Sequence, residues 1–423
     1  MLNRDEIFLY FDRAIIACLC LLIFCLPFAK AGVESFVWSA IFIFILKRAL
    51  GYRAGSLWGM FPRTELNKAL GIFIAVNVLP VIFSVNLALS LRGFFGKELK
   101  FLAIYFMLVE VINSKRRLKI VLIAIIFSAV LIVLDAGAQC FRGVDFLRGH
   151  ELGWYSFGAS FNTASDFSAW LIVIIPIFIG IIAANIIPDI KLKIFLFLSI
   201  IIQFLYLLKT YSRGAWVGFS AGSYLMFCYF VRSLILRVVI LCLIAVIFLL
   251  PIFLPQSIKS RVSDMLYTNF NFVYTVVVRV KSIPQISSSS NFIRAKLWKE
   301  SLEMIKDYPL TGCGLNTYSV VARDYKSFDG GGIYPHNSYL QMAAETGLLG
   351  LFAFLWVLFS FFKMGLQHFN QKRDYLVLGL LSGILAFLVQ SFFDTNLYAL
   401  QMVVLFWFML GLTVAVIKFD LAK

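Results

Sequence analysis

The sequence predicts an all-α, polytopic integral membrane protein of about twelve transmembrane helices with one large helical loop domain. Three observations predict it. The 423-residue chain is 61% hydrophobic and only 14% charged, where a soluble domain carries about 25% charged residues. Its mean hydropathy is +0.90. Its apolar runs are continuous and approach the roughly 20 residues that a bilayer core of about 30 Å demands of a helix. A closed barrel, the other structure that hydrogen-bonds its own backbone in lipid, would alternate instead.

The predicted spans are 7–28, 33–47, 69–91, 98–113, 118–138, 166–187, 192–208, 214–231, 234–254, 337–362, 375–392 and 397–417. The second and fourth are short. Most connections are brief, apart from 139–165 and 255–336. The chain therefore divides into helices one to nine (1–254), a loop domain (255–336) and helices ten to twelve (337–423). Residues 7–28 precede Ala29-Lys30-Ala31, which imitates a signal-peptide cleavage site. The run is long for such a segment, and Asp5 and Glu6 spoil the basic start it needs, so it is read as the first span.

The formal charge is +16. In this setting it belongs to the membrane faces and not to a nucleic-acid surface. With the N-terminus inside, cytoplasmic segments hold twenty Lys and Arg, and the short loops on the other side hold eight. By the positive-inside rule both termini are cytoplasmic, which puts 255–336 on the outer face. Within it, 292–306 reads as an amphipathic helix. Ile293, Leu297, Leu302 and Ile305 recur on one face, with Lys296–Glu300 and Lys299–Glu303 pairs on the other. Ser287–Ser290 is a linker before it. Asp307-Tyr308-Pro309 stops it, Gly312-Cys313-Gly314 is a turn, and Gly330-Gly331-Gly332 loosens the chain before the next span. No internal repeat or inverted pair of halves appears.

Few residues can carry chemistry. Of three His, His368 sits in a Lys/Arg-rich cytoplasmic loop, where a solvated side chain is expected. His150 lies in Arg-Gly-His-Glu of the 139–165 loop. His336 lies in Tyr334-Pro335-His336-Asn337-Ser338, just before an apolar run. Asn337 is an N-cap by type, which puts His336 at a helix N-terminus. Such an end attracts anions and favours a neutral imidazole, the form a general base needs. A purely structural capping role fits the local sequence equally. Arg213, at the outer junction of two spans, is either a snorkelling interfacial Arg or a phosphate clamp. Arg294, on the loop helix, is by composition an ordinary surface Arg. Glu345 falls about 13 Å below His336 along the helix and must be paired or face a cavity. Asp394, closing Gln390-Ser391-Phe392-Phe393-Asp394, has the position to orient an Arg or His, or to join helices.

Other chemistries find no residues. No Cys/His spacing or carboxylate cluster suits a metal, and no nucleotide-phosphate loop or nucleophile elbow is present. Cys18, Cys20, Cys25, Cys228 and Cys242 lie in apolar runs, where Cys behaves as a small hydrophobe. Cys140 and Cys313 fall in loops, and whether they pair stays open.

Pro335-His336-Asn337-Ser338-Tyr339-Leu340-Gln341 followed by Glu345-Thr346-Gly347-Leu348-Leu349-Gly350 resembles the signature of the O-antigen ligase superfamily. Tyr308-Pro309-Leu310-Thr311-Gly312-Cys313-Gly314-Leu315 and Ser212-Arg213-Gly214 match its other motifs, in the family's order. The resemblance covers roughly 205–395. It implies a GT-C-like glycosyltransferase of the bacterial inner membrane, acting at the periplasmic face. Such an enzyme moves a glycan from undecaprenyl diphosphate to an acceptor hydroxyl, on lipid A–core in the ligases proper. The family's two essential Arg map to Arg213 and Arg294 as a diphosphate clamp, and its His maps to His336 as base. Asp394 matches an acidic position more loosely. Asn337 and Glu345 stand as supporting residues. Two cations replace a metal, so no cofactor is expected, and a single displacement inverts the anomeric centre. The rivals are a polysaccharide polymerase, whose acceptor is a second lipid-linked glycan, a protein oligosaccharyltransferase, and, from another class, a lipid-linked glycan flippase or exporter. A flippase would need pseudo-symmetric halves and a large central polar cavity.

Overall fold

The computed structural model describes residues 4–51, 61–153, 157–231, 233, 236, 289–327 and 332–421. Apart from Leu236, the predicted ninth span lies outside the described residues, as do residues 255–288. In order the helices are α1 (Arg4–Cys25), α2 (Lys30–Gly51), α3 (Asn67–Asn77), α4 (Leu79–Ile82), α5 (Leu87–Gly93), α6 (Leu99–Val111), α7 (Lys115–Arg142), α8 (Ala164–Ala183), α9 (Ile190–Lys209), α10 (Arg213–Phe230), α11 (Ser289–Asp307), α12 (Tyr318–Val321), α13 (Ser338–Lys372), α14 (Tyr375–Gln390) and α15 (Leu400–Leu421). A single β-bridge, Val144 to Glu151, is the strand-like pairing among the described residues. Among the described residues six helices are long and apolar enough to cross a membrane: α1, α7, α8, α9, α13 and α15. Two shorter apolar helices, Asn67–Ile82 and Tyr375–Gln390, accompany them. The chain is an all-helical, multi-pass membrane protein.

Several expectations change. The predicted span 69–91 is interrupted at 83–86. Asn86 caps α5 by accepting from the Leu89 amide, and a π-turn at Phe94–Glu98 then carries α5 into α6. Arg92 and Lys97, which fall between the predicted spans 69–91 and 98–113, ride on this continuous helical stretch. Lys100 is buried because Glu34 accepts from its Nζ at 2.8 and 3.0 Å, which satisfies a charge too costly to leave alone there. The 139–165 loop is shorter than predicted, since α7 runs to Arg142. His368 is not solvated. It lies within α13, which continues as helix to Lys372, and is only 3% exposed. On α11 the buried residues are Leu297, Glu300, Ser301 and Met304, while Leu302 is half exposed. Glu300 turns inward to accept from the Ser327 amide and hydroxyl, both at 2.7 Å. Glu303 pairs with Lys306. Cys140 and Cys313 are both free thiols.

Close packing of α14 positions the site. Small residues let transmembrane helices approach until backbones touch. A Cβ on Gly222 or Gly218 of α10 would lie 2.4 Å from the Ser382 or Ala386 carbonyl oxygen of α14. Gly379 of α14 meets the Pro176 carbonyl of α8 as closely, at 2.5 Å. The residues at the N-terminal ends of α8 and α10 therefore stand beside those at the C-terminal end of α14. At the other end, Asp12, Lys47, Arg48, Glu110 and Arg117 from four helices form one ion network.

Candidate active site

Four of the residues singled out in the sequence line one cavity of about 540 Å³: Arg213, Arg294, His336 and Asp394. Each arrives for a local reason. Ser212 ends the preceding turn in extended conformation and α10 begins at Arg213. Asn337 caps α13, its Oδ1 accepting from the Tyr339 and Leu340 amides at 2.9 and 3.0 Å. His336 precedes it in left-handed conformation, φ 48°. Arg294 comes from α11. That helix is held to the His336 segment by Trp298, whose Nε1 donates to the Pro335 carbonyl at 2.8 Å. Arg213 is tied to the same helix, donating through Nη2 to Asn291 Oδ1 at 3.0 Å. The helices α8, α10 and α13 all start at this cavity, so their positive dipole ends add to the two guanidinium groups.

Asp394 organises one wall. Its Oδ1 lies 3.4 Å from His336 Nδ1 and accepts from the Thr395 amide at 2.8 Å. Its Oδ2 accepts from the Ser165 hydroxyl. Its carbonyl accepts from the Ser338 amide at 3.1 Å and the Ser338 hydroxyl at 2.9 Å. Burial works to raise the Asp394 pKa, but hydrogen bonds from His336, Ser165 and the Thr395 amide outweigh it and hold the carboxyl below its ordinary value. Burial lowers the Arg294 pKa against the attraction of Asp394. A guanidinium nonetheless stays charged at any working pH. A carboxylate facing Nδ1 fixes the proton there and leaves Nε2 as the basic atom of the ring.

Sequence reasoning missed Ser165 and Asp166, which line the same cavity from the first turn of α8. The signal was present. Thr163 followed three residues later by Asp166, ahead of an apolar run, is a capping pattern, and the Thr163 hydroxyl does accept from the Asp166 amide at 3.0 Å. It marks a helix start, not a site, and only the fold brings that start to His336. Gln390 reinforces the wall, donating from Nε2 to the Ser165 carbonyl at 3.2 Å.

Glu345 is not in this cavity. It faces a smaller one of about 110 Å³ with Asn77, Lys97 and Glu98. Its carboxylate accepts from the Asn316 and Tyr318 amides at 3.0 and 3.2 Å. Two motifs of the sequence interlock here. Gly347 breaks α13 with φ 68° and ψ −179°. The freed Ala344 and Glu345 carbonyls accept from the Cys313 and Gly314 amides at 2.9 and 3.0 Å, and the Leu348 amide donates to the Pro309 carbonyl at 2.9 Å. Glu345 and Asn337 are thus scaffold residues. His150 is elsewhere, its Nδ1 3.1 Å from the Ala159 carbonyl.

Residues 195–355 match the O-antigen ligase family. That stretch of the chain is similar to the O-antigen ligase family. The match contains Arg213, Arg294, His336 and the interlocked motifs, and it supports the resemblance to that superfamily. Asp394, Ser165 and the first eight helices lie outside the matched residues and meet them through the fold. No match to a curated protein was found.

Proposed function

We propose that the chain is an O-antigen ligase-type glycosyltransferase that moves a glycan from undecaprenyl diphosphate to a hydroxyl of a glycolipid acceptor, lipid A–core. The observation that carries this is the single cavity holding Arg213, Arg294, His336 and Asp394, into which three helix N-termini also point. Cations and helix starts are what a departing diphosphate needs, and a base held beside them is what an attacking hydroxyl needs. His336 Nε2 takes the hydroxyl proton as the acceptor oxygen attacks the anomeric carbon. The bond from that carbon to the diphosphate oxygen breaks, and Arg213 and Arg294 hold the charge that leaves. Attack opposite the leaving group inverts the anomeric centre. With two guanidinium groups supplying the positive charge, the transfer needs no metal ion.

In this reading the cavity faces the periplasm, residues 255–336 form the loop domain on that face, and both termini are cytoplasmic, as the charge count requires. The experiment is transfer in proteoliposomes with purified lipid-linked donor. His336→Ala should bind donor and lose transfer by about 10²–10⁴-fold. Full activity in a folded variant sinks the base assignment. Offering lipid A–core and lipid-linked glycan as competing acceptors separates ligase from polymerase. Donor translocation with no new glycosidic bond would point to a flippase instead.

A further inference from the structure

At the end of the bundle away from His336, three helix termini bring His368, Asp374 and Asp420 together. Their ligand atoms all lie within 4.8 Å of one another. His368 is on α13, Asp374 caps α14, and Asp420 is in the last turn of α15. Asp374 uses Oδ1 for capping, accepting from the Leu376 and Val377 amides at 2.9 and 3.3 Å. Its Oδ2 points the other way, 3.8 Å from His368 Nε2. The His368 side chain is 2% exposed, and neither of its ring nitrogens has a hydrogen-bond partner among the described residues. An imidazole buried in that state is costly unless something else occupies its lone pair.

We propose that His368, Asp374 and Asp420 bind a divalent transition-metal ion of the zinc class, which ties the ends of α13, α14 and α15 together. Imidazole with carboxylates suits such an ion, whereas calcium and magnesium prefer all-oxygen shells. Bonds of about 2.0–2.2 Å put neighbouring ligand atoms of a tetrahedral site roughly 3.4 Å apart. The His368–Asp374 spacing is within a small side-chain movement of that. Two carboxylates balance the charge of the ion. Asp374 and Asp420 also line a cavity of about 550 Å³, which gives an entry path and room for water in the remaining coordination positions. Lys115, Lys119, Lys372 and Arg373 line the same cavity. They would repel an ion held only by diffuse charge, so binding comes from directly coordinated atoms and survives high salt. The site is separate from the transfer chemistry and does not depend on it.

The test uses the purified full chain in detergent, stripped with chelator and titrated with Zn²⁺ by calorimetry. One saturable equivalent is expected, with a rise in Tm. His368→Gln and Asp420→Asn should each weaken it by at least about tenfold, and His150→Gln should not. If His368→Gln does not fold, Asp420→Asn and the absorption of the Co²⁺-loaded wild-type protein carry the test. Nitrogen–oxygen ligation without thiolate charge transfer supports the site. Absence of saturable binding up to millimolar Zn²⁺, binding indifferent to both substitutions, or a thiolate signature overturns it.

Discussion

Trp298 Nε1 donates to the carbonyl of Pro335, the residue before His336, at 2.8 Å. One side chain of α11 thus sets the distance between the helix that carries Arg294 and the segment that carries His336. Trp298→Phe keeps most of the packing and removes the bond, whose net value is about 1 kcal/mol. Transfer should fall by about tenfold or more, because a misplacement near 1 Å can cost about 10²-fold in rate. Tm should move by only a few degrees. Steady-state kinetics beside a melting curve check this; an unchanged kcat/KM would show that α11 is held by other contacts.

In the proposed mechanism Asp394 acts through His336, whose Nδ1 lies 3.4 Å from its Oδ1. Asp394→Asn preserves shape but no longer favours a proton on Nδ1 of the ring, so kcat should fall by about 10²-fold with little change in donor affinity. The pH dependence has a definite sign. Asp394 titrates below its ordinary value in the folded protein. The stability it contributes is therefore complete above about pH 4 and is lost only as pH falls through the lower folded value. Unfolding midpoints measured from pH 7 down to pH 3 in wild type and Asp394→Asn should converge only at the acid end. Convergence already at pH 6 would contradict the assignment.

The two Arg residues are predicted to need their planar fork. Arg213→Lys and Arg294→Lys keep the charge and lose bidentate contact with phosphate oxygens. Each should lower transfer by roughly 10²-fold. Full rescue by Lys in either position would reduce that residue to a point charge. Comparing Arg, Lys and Ala at both positions against one donor gives the answer.

Cys313 is buried, and burial pushes its thiol up to about 12. At pH 8 almost none of it is thiolate, the form that reacts. Maleimide should leave Cys313 unlabelled in the folded protein and label it after denaturation, as peptide mass spectrometry can read. Non-reducing gels should show no Cys140–Cys313 bridge.

Much of this architecture was legible in the sequence, and the remainder was not for identifiable reasons. Continuous apolar runs marked most helices, since their length is dictated by the bilayer. The sequence reading puts the break at 92–97, between Arg92 and Lys97, whereas the helix breaks at 83–86 and runs on through the π-turn at 94–98. His368 read as solvated because its neighbours in sequence are basic; in the fold it is buried, and Asp420, far along the chain on α15, comes within 4.8 Å of its ring. At the candidate site, His336 and Arg213 stood out by their places at helix starts. Arg294 looked like any surface Arg, and nothing local set Ser165 apart. What brings them to one cavity is the close contact of α14 with α8 and α10 and the docking of α11 on Pro335 and Arg213, and no local pattern in the sequence reports which helices will touch.

Gly347 is the position where that tertiary arrangement is most exposed to a single change. Its φ of 68° lies in the left-handed region, and a Cβ there would sit 2.1 Å from the Leu310 carbonyl oxygen. Both atoms belong to backbone segments joined by the Cys313–Ala344 and Leu348–Pro309 hydrogen bonds, so neither can yield without opening the interlock. Gly347→Ala should therefore cost at least about 2 kcal/mol, combining backbone strain with loss of those bonds. Gly143 is the control. It has φ 79° but nothing within 4 Å of the position a Cβ would take, so Gly143→Ala should cost only about 1–2 kcal/mol for the left-handed backbone alone. Thermal unfolding of the two variants in the same detergent measures the difference. If Gly347→Ala melts no lower than Gly143→Ala, the interlock between the two motifs is not what holds α13 to the segment before α12.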